Sequence, residues 1–486
     1  SVAIGGSALK AQNFSTSTIS DNVAVGIFAG TAVTTGIRNT LIGAFAADAL
    51  TDADFNTAVG QQALTTDTLG SHSTGIGYGA LGTQNFTTAT STYNTAVGSL
   101  AGTAVTTGIK NSILGGLAGD ALTDADFNIA VGFAALSSDT LGSKSVAIGE
   151  SALGSQNFTT ATDTFNTAVG HRAGSLVTTG IKNTFIGGLA GDANTTASEN
   201  TAVGHDALGA NVAGAENVAI GERTMEIGNG ANYNTAVGRT ALRSSTGNYN
   251  TAVGLKAGYA VTTGIENTLI GGLAGDALTD ADYNTAVGKS ALGADTLGSR
   301  STAIGYGALT LQNFTTATDT HNTAVGYQAG LAVTTGTVNT FVGALSGDAL
   351  TVGHHNTAVG MQALTTDTQG SNSIAIGSFA LNAQNFTTAT DTFNTAVGYS
   401  AGSAVTTGVQ NTVIGGLAGD ALTDADYNVA VGVTALGGDT LGSKSTAIGY
   451  STLVNQNFTT ATDTFNTAVG YEAGTAVTTG RFNDLF

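Results

Sequence analysis

Apolar residues recur along the chain in a short motif, without the period of an amphipathic helix. The motif is Asn or Ser, any residue, a small or apolar residue that is mostly Ala, then Val or Ile, and Gly, as at residues 1–5, 22–26 and 39–43. It occurs 27 times, mostly at intervals of 17 residues, with six intervals of 21 and one of 16. Three intervals of 17 and one of 21 make a larger period of 72 residues. Such regularity predicts one repeated structural unit instead of several unrelated domains.

Each repeat is a coil, with positions numbered from the Asn or Ser that begins its motif. Position 5 is Gly in all 27 coils, which predicts a positive φ or a backbone too close to its neighbour for a Cβ. Position 4 is Val or Ile in every coil except at Leu114, and position 8 is Ala in 24 coils. β-Branched residues favour strands, and no period of 3.6 residues is sustained. The pattern therefore predicts a short strand in each coil.

A coil this short cannot bury a core alone, so the sequence predicts an all-β parallel β-solenoid in which each coil pairs with the next. The array covers residues 1–480, with irregular coils at about 193–249, and the pattern ends at 481–486, where we expect a junction or a continuation. Asn begins 21 coils, which predicts an Asn ladder along the stack. The absence of Pro agrees with a ladder that needs every amide donor.

Position 3 is never polar, and this predicts an oligomer. Adjacent strand residues point to opposite faces, so if position 4 fills the coil interior, position 3 forms an outward apolar stripe. Other chains packed around an axis would bury such a stripe, and the alternatives are a coil that encloses both positions or a covering loop. The larger residues at position 3 are the predicted trimer-interface residues: Leu41, Ile113, Phe185, Leu269, Phe341 and Val413.

Composition and charge exclude several classes of protein. The chain has 70 Gly and no Cys, Pro or Trp, which excludes a disulfide framework, thiolate chemistry and collagen. Apolar residues make up 41% and charged residues 10%, so the chain should fold. The net charge is −19 and the basic residues are scattered, which predicts no nucleic-acid partner. No apolar run is long enough to span a membrane, so we expect no membrane insertion.

The motifs also resemble those of a known family. Ser-Val-Ala-Ile-Gly at 1–5 and 145–149, Asn-Val-Ala-Ile-Gly at 217–221 and the many Asn-Thr-Ala-Val-Gly motifs resemble the YadA-like head repeats of trimeric autotransporter adhesins and similar repeats in bacteriophage tail fibres. The resemblance covers nearly the whole chain and implies a homotrimer of left-handed parallel β-rolls. The coils are longer than in the adhesin head, and neither stalk heptads nor anchor strands follow, which favours a tail fibre.

These features together predict a structural and adhesive fibre segment of a tailed bacteriophage, on the virion or another extracellular surface. An adhesin head on a bacterial cell is the alternative. Expected partners are two further copies, other virion or fibre proteins at the ends, and a host-surface glycan or protein receptor. We expect no enzymatic activity. A polysaccharide-binding or depolymerising tailspike is a second alternative, with these acidic residues of the irregular segment as candidates: Glu199, Asp206, Glu216, Glu222 and Glu226.

The four extra residues of each longer coil accompany Gln-Asn-Phe and a Thr-rich stretch. Exposed Asn and Phe on such ridges could contact a receptor glycan, and the alternative is that Phe covers its own coil or clamps an adjacent chain. The candidate receptor contacts are Asn13, Phe14, Asn85, Phe86, Asn157, Phe158, Asn313, Phe314, Asn385, Phe386, Asn457 and Phe458.

Repeated Asp-Ala-Leu-Thr-Asp-Ala-Asp segments could gather a hard cation such as Ca²⁺, which prefers several oxygen ligands. The alternative is a solvated, charged surface that discourages lateral aggregation. The candidate ligands are Asp120, Asp124, Asp126, Asp276, Asp280 and Asp282. No other cofactor is expected. Aromatic residues and Lys share the last position of the coils, just before the next motif, and predict a variable exposed edge.

Overall fold

The computed structural model describes residues 1–486. The chain is all-β, without helices, and forms a parallel β-solenoid of about 28 coils. It divides into two compact units, Ser1–Thr240 and Ala241–Phe486, which are built in the same way. The boundary falls inside the segment that the sequence predicts to be irregular, where the single interval of 16 residues occurs.

Each coil contributes one short strand, and most long coils add a pair of two-residue strands. In the first unit the coil strands are β1 Val2–Ile4, β2 Val23–Val25, β3 Thr40–Ile42, β4 Thr57–Val59, β6 Thr74–Ile76, β8 Thr95–Val97, β9 Ser112–Leu114, β10 Ile129–Val131, β12 Val146–Ile148, β14 Thr167–Val169, β15 Thr184–Ile186, β16 Thr201–Val203, β17 Val218–Ile220 and β18 Thr235–Val237. The two-residue strands are β5 Gly70–Ser71, β7 Thr90–Ser91, β11 Gly142–Ser143 and β13 Thr162–Asp163.

The second unit repeats this arrangement. Its coil strands are β19 Thr251–Val253, β20 Thr268–Ile270, β21 Thr285–Val287, β23 Thr302–Ile304, β25 Thr323–Val325, β26 Thr340–Val342, β27 Thr357–Val359, β29 Ile374–Ile376, β31 Thr395–Val397, β32 Thr412–Ile414, β33 Val429–Val431, β35 Thr446–Ile448, β37 Thr467–Val469 and β38 Asp484–Leu485. The two-residue strands are β22 Gly298–Ser299, β24 Thr318–Asp319, β28 Gly370–Ser371, β30 Thr390–Asp391, β34 Gly442–Ser443 and β36 Thr462–Asp463.

Within each unit, neighbouring coil strands pair in parallel and in register. In β8 and β9, Thr95, Ala96 and Val97 lie opposite Ser112, Ile113 and Leu114. The pairing continues to β38, where Asp484 lies opposite Thr467. The motif ends before 481–486, as predicted, and the stack continues there by one further strand. This strand lacks the Ala, Val and Gly of the motif, and for that reason the sequence pattern does not show it.

The Gly at position 5 meets both predicted requirements. In these 27 residues φ lies between +128° and +144°, a region that side chains disfavour. A Cβ added at Gly98 would also lie only 2.4 Å from the carbonyl oxygen of Gly115 in the next coil. The stack therefore allows only Gly at this position.

The predicted Asn ladder is confirmed, and its side chains are fully buried. Nδ2 of Asn111 donates to the carbonyl oxygen of Ala125, 2.7 Å away, which closes its own coil. Oδ1 of Asn111 accepts from the backbone N–H of Asn128, 2.9 Å away, which joins the next coil. Each Asn amide thus satisfies two buried backbone groups that would otherwise lack partners.

Position 3 points into the coil and position 4 points outward, so the predicted trimer-interface residues are wrong. The six larger residues at position 3 have no exposed surface within their own chain: Leu41, Ile113, Phe185, Leu269, Phe341 and Val413. The interior is narrow, and at Gly75 an added Cβ would lie 3.1 Å from the carbonyl oxygen of Ala80 in the same coil. Small Ala at position 3 fits this space, whereas Val or Ile suits the outer face.

The larger side chains at position 3 fit because nearby coils have Gly at position 9. A Cβ at Gly102 or Gly119 would lie 2.8 Å or 3.3 Å from Cδ1 of Ile113. Other coils with a small position 3 carry a buried Leu at position 9, as at Leu81 and Leu136. The 72-residue period therefore reflects the packing of the interior. In some coils a large side chain at position 3 fills the space, and in others a Leu at position 9 fills it.

Candidate functional site

The ridges of the long coils do not present their Phe side chains. Five of the rings are only 6% to 7% exposed: Phe86, Phe158, Phe314, Phe386 and Phe458. Phe14, in the first coil, is half-buried. These buried Phe side chains cover their own coil, as the alternative prediction stated. They therefore offer almost no surface to a receptor. The preceding Asn residues are exposed and remain candidate contacts: Asn13, Asn85, Asn157, Asn313, Asn385 and Asn457.

A buried polar network underlies each ridge in the long coils from Ser73 onward. Oδ2 of Asp67 accepts from Nε2 of Gln84, 2.5 Å away, and Nε2 also donates to Oγ of Ser73 at 2.7 Å. Oε1 of Gln84 accepts from Nδ2 of Asn94 at 2.9 Å. Oδ1 of Asp67 accepts from the backbone N–H of Phe86 at 3.2 Å. Gln84 therefore fills the gap in the Asn ladder where the coil begins with Ser, and Asp67 fixes the inserted segment.

The same network occurs five times along the chain. The buried carboxylates are Asp67, Asp139, Asp295, Asp367 and Asp439, and the buried amides are Gln84, Gln156, Gln312, Gln384 and Gln456. Each carboxylate also approaches the Gly three residues later. A Cβ at Gly70 would lie 2.2 Å from Oδ2 of Asp67. The sequence analysis missed these residues, although Asp-Thr-Leu-Gly or Asp-Thr-Gln-Gly precedes each of the five coils.

We expect Gln84→Ala to loosen the ridge at residues 85–92, because it removes the amide donor to the Asp67 carboxylate and the acceptor for Asn94. Leaving a buried charged group short of a donor costs about 1–3 kcal/mol or more. Hydrogen exchange of the Phe86 amide should accelerate by about tenfold or more. Asn85→Ala, one residue away and exposed, is the matched control and should leave the exchange unchanged. Equal exchange in the two variants would contradict a structural role for Gln84.

The predicted calcium ligands do not converge into a site. Oδ1 of Asp124 accepts from Oγ1 of Thr107 at 2.7 Å, and Oδ1 of Asp126 accepts from the backbone N–H of Ile109 at 2.7 Å. Asp280 and Asp282 make the equivalent bonds in the second unit. No group of three or more His, Asp or Glu in residues 1–486 could hold a metal ion. The spacing of Asp in the sequence thus serves bonds between coils.

Six buried or half-buried carboxylates have a raised pKa. Burial raises the pKa above the ordinary value of 3.8 at six Asp residues: Asp67, Asp120, Asp192, Asp276, Asp348 and Asp420. At Asp120, Oδ1 is buried without a hydrogen-bond partner, so hydrogen bonding offsets little of this cost. These groups favour the neutral acid in the folded chain.

Between pH 3.8 and the raised pKa values, the folded chain holds more protons at these Asp residues than the unfolded chain. Their contribution to the free energy of unfolding therefore rises as the pH falls through this window. The test compares the change in Tm from pH 7 to pH 4 in the unchanged chain and in a variant with Asn at all six positions. We expect the unchanged chain to lose less Tm than the variant, or to gain Tm. An identical pH profile for the two proteins would contradict this effect.

The last residues of most coils are exposed, as predicted, and they also stack into an outer column. The ring of His72 lies 5.0 Å from the rings of both Phe55 and Tyr93. In the same column, Nζ of Lys110 lies 4.8 Å from the centre of the Phe127 ring. The ring faces therefore contact neighbouring coils, and these aromatic and cationic side chains stabilise the stack.

The candidate catalytic carboxylates of the irregular segment mostly form ion pairs. Oε1 of Glu199 lies 2.8 Å from Nζ of Lys182, Oε2 of Glu222 lies 3.3 Å from Nε of Arg239, and Oε1 of Glu226 lies 3.5 Å from Nε of Arg223. Asp206 pairs with the neighbouring His205 at 3.4 Å. Three of the five candidate carboxylates thus have an Arg or Lys partner.

Position 4 forms the outward apolar stripe that the sequence analysis assigned to position 3. It is flanked on the same strand face by position 2, which is Thr in 19 coils. The following residues of the stripe are between 37% and 40% exposed: Ile42, Ile76, Ile148, Ile186, Ile220, Val253, Ile270, Ile304, Val342, Ile376, Ile414, Ile448 and Val469. Within each unit, this uncovered face of a parallel sheet is the most extended candidate binding surface.

No protein-family model matches the chain, and no curated protein sequence matches it significantly. The structure also contains no helix with the length and apolar character needed to cross a bilayer.

Proposed function

We propose that the chain is a segment of a homotrimeric fibre that contacts a host surface. The observation that carries the proposal is the position 4 stripe. Parallel sheets are normally covered on both faces, yet here the outer face presents Val or Ile at almost every coil. An exposed apolar stripe of this extent marks a surface that another protein covers.

A second and third copy of the same chain are the partners that fit this stripe best. The stripe residues recur at the strand spacing of about 4.8 Å, so a second stack of the same construction keeps its side chains in step along the stripe. Three copies that turn this face toward a common axis close into a symmetric assembly without leaving a free edge.

The fibre belongs, in this proposal, to a tailed bacteriophage or another extracellular surface. The motif resemblance supports this location, and a bacterial adhesin head would use the same face and the same trimer. Other virion or fibre proteins would join its ends. The receptor would be a glycan or protein of the host surface, contacted through outer residues such as the exposed Asn of the ridges. A depolymerising role has less support, because the irregular carboxylates pair with cations.

Sedimentation equilibrium tests the assembly. The chain has a mass of 47.8 kDa, and we expect a single species of three times that mass in dilute native buffer. A species with the mass of one chain would overturn the homotrimer. Immunogold labelling of the source material with an antibody against the chain would then test the location. Labelled virion tails support the fibre, and label confined to cell surfaces supports the adhesin.

A further inference from the structure

A small cleft opens beside Tyr78 on the first complete ridge. It has a volume of about 270 Å³ and lies between three successive coils. Tyr78 and Gly79 line it from the middle coil, Gln62 from the coil before and Thr103 from the coil after. No charged side chain lines the cleft. Its volume, close to the lower end of the range for ligand pockets, suits one small neutral ring instead of an extended chain.

The cleft exists because this long coil has Gly at two positions. A Cβ at Gly79 would lie 3.0 Å from Cδ2 of Leu100, and a Cβ at Gly82 would lie 3.4 Å from Oγ1 of Thr103. No other long coil has Gly at both positions. Position 7 of the others carries Ser7, Ser151, Gly307, Phe379 or Ser451, and position 10 carries Lys10, Gly154, Thr310, Asn382 or Val454. This pair of glycines therefore occurs in one long coil only.

Tyr78 provides an aromatic wall with a free face. Its side chain is 50% exposed, and the next coil has Ser99 at the same position. The corresponding Tyr306 and Tyr450 are as exposed but stack on the next coil, with ring centres 5.6 Å and 5.2 Å from Tyr327 and Tyr471. Tyr78 has no such neighbour, so its ring face remains available to a ligand.

The polar groups of the cleft supply both donors and acceptors. The Thr66 hydroxyl donates to the carbonyl oxygen of Gly82 at 2.9 Å, and the Thr65 hydroxyl donates to Oδ1 of Asp48 at 2.6 Å. Their oxygens therefore face a ligand as acceptors. The Gln62 amide and the Thr103 hydroxyl have no side-chain hydrogen bond within the chain, so they can both donate and accept.

We propose that this cleft binds one neutral pyranose ring, such as the terminal sugar of a surface glycan. A pyranose has an apolar C–H face, which packs on an aromatic ring, and a rim of hydroxyls, which pairs with amides and hydroxyls. The cleft offers both an aromatic ring and hydrogen-bonding amide and hydroxyl groups. It has no charged side chain to pair with a carboxylate, which disfavours uronic or sialic acids. The proposal rests on the proposed function, since it names the receptor chemistry of the fibre.

Saturation-transfer NMR on the full chain tests the cleft with methyl glycosides of glucose, galactose, mannose and N-acetylglucosamine as probes. We expect transfer to at least one of them, and none to methyl glucuronide. Tyr78→Ser should reduce the affinity about tenfold, because an aromatic contact is worth about 1–1.5 kcal/mol. Gly82→Val should abolish binding by filling the cleft. These two variants place in this coil the residues that other long coils carry at Ser378 and Val454.

Tyr450→Ser is the matched control, because Tyr450 has the same coil position and a similar exposure without the cleft. It should bind like the unchanged chain. Absence of transfer from all four neutral glycosides, or equal transfer to the Tyr78→Ser variant, would overturn the proposal. Sedimentation separates this outcome from failure of the fibre, because a trimer that binds no glycoside refutes only the cleft.

Discussion

Gly115→Ala should lower the free energy of unfolding of the first unit by at least about 3 kcal/mol. Gly115 has a φ of +137°, and a non-glycine residue held in such a region costs about 1–3 kcal/mol. An added Cβ would also lie 2.4 Å from the carbonyl oxygen of Gly132. Relieving that contact requires the two coils to separate, which weakens ladder bonds such as Gly132 N–H to Leu114 O at 2.7 Å.

The neighbouring Gly116 provides the control. A Cβ there would meet nothing closer than Cδ2 of Phe133 at 3.7 Å, an ordinary contact. Gly116→Ala should therefore change stability by a few tenths of a kcal/mol, and it can even stabilise the chain by restricting the unfolded state. Urea unfolding followed by circular dichroism compares the two variants. A similar midpoint for both would show that the stack tolerates a side chain at position 5.

The second large effect concerns assembly. The triple variant Ile148→Glu, Ile186→Glu and Ile220→Glu should sediment as a single chain of 47.8 kDa. The three side chains are 37% to 40% exposed in one chain and would be buried in the proposed trimer. They lie on every second coil, so the new carboxylates are about 10 Å apart and repel each other little within one chain. Burial of unpaired carboxylates between chains costs about 2 kcal/mol or more each.

A second triple variant distinguishes the face from the added charge. Leu176, Val212 and Ile227 are 37% to 51% exposed but lie outside the coil strands. Changing these three to Glu adds the same charge and should leave the trimer intact. Circular dichroism should show a folded solenoid in both triple variants. If both triple variants or neither dissociates, the position 4 face is not the interface.

Much of the fold follows from spacing alone. An invariant Gly, a β-branched neighbour and a recurring Asn at fixed intervals define strand, stack and ladder, because each coil must repeat its backbone bonds to the next. Alternation along a strand also shows that positions 3 and 4 face opposite ways. It does not show which of them points inward, and the assumption that position 4 fills the interior is wrong.

The correct direction was present in a correlation between coils. Large residues at position 3 occur where position 9 is Gly or Ala, as Ile113 occurs with Gly119, and Leu at position 9 occurs only where position 3 is small. When a larger side chain at one position accompanies a smaller side chain at another, the two side chains share one space. Both positions therefore belong to the interior. The buried network under the ridges was harder to predict. Gln84 stands beside the exposed Asn85 in a polar segment, and only the stacking of coils shows that Gln84 replaces a missing Asn.

The four-coil packing period also sets how such a molecule can change length. Loss or duplication of 72 residues would leave every Leu, Gly and Phe of the interior opposite its present neighbour. Loss of a single 17-residue coil, such as that beginning at Asn94, would remove Gly102 and set Leu81 against Ile113. Recombination within the gene would therefore yield folded products mainly in whole periods. The stack would therefore change in length by steps of four strand spacings, about 19 Å.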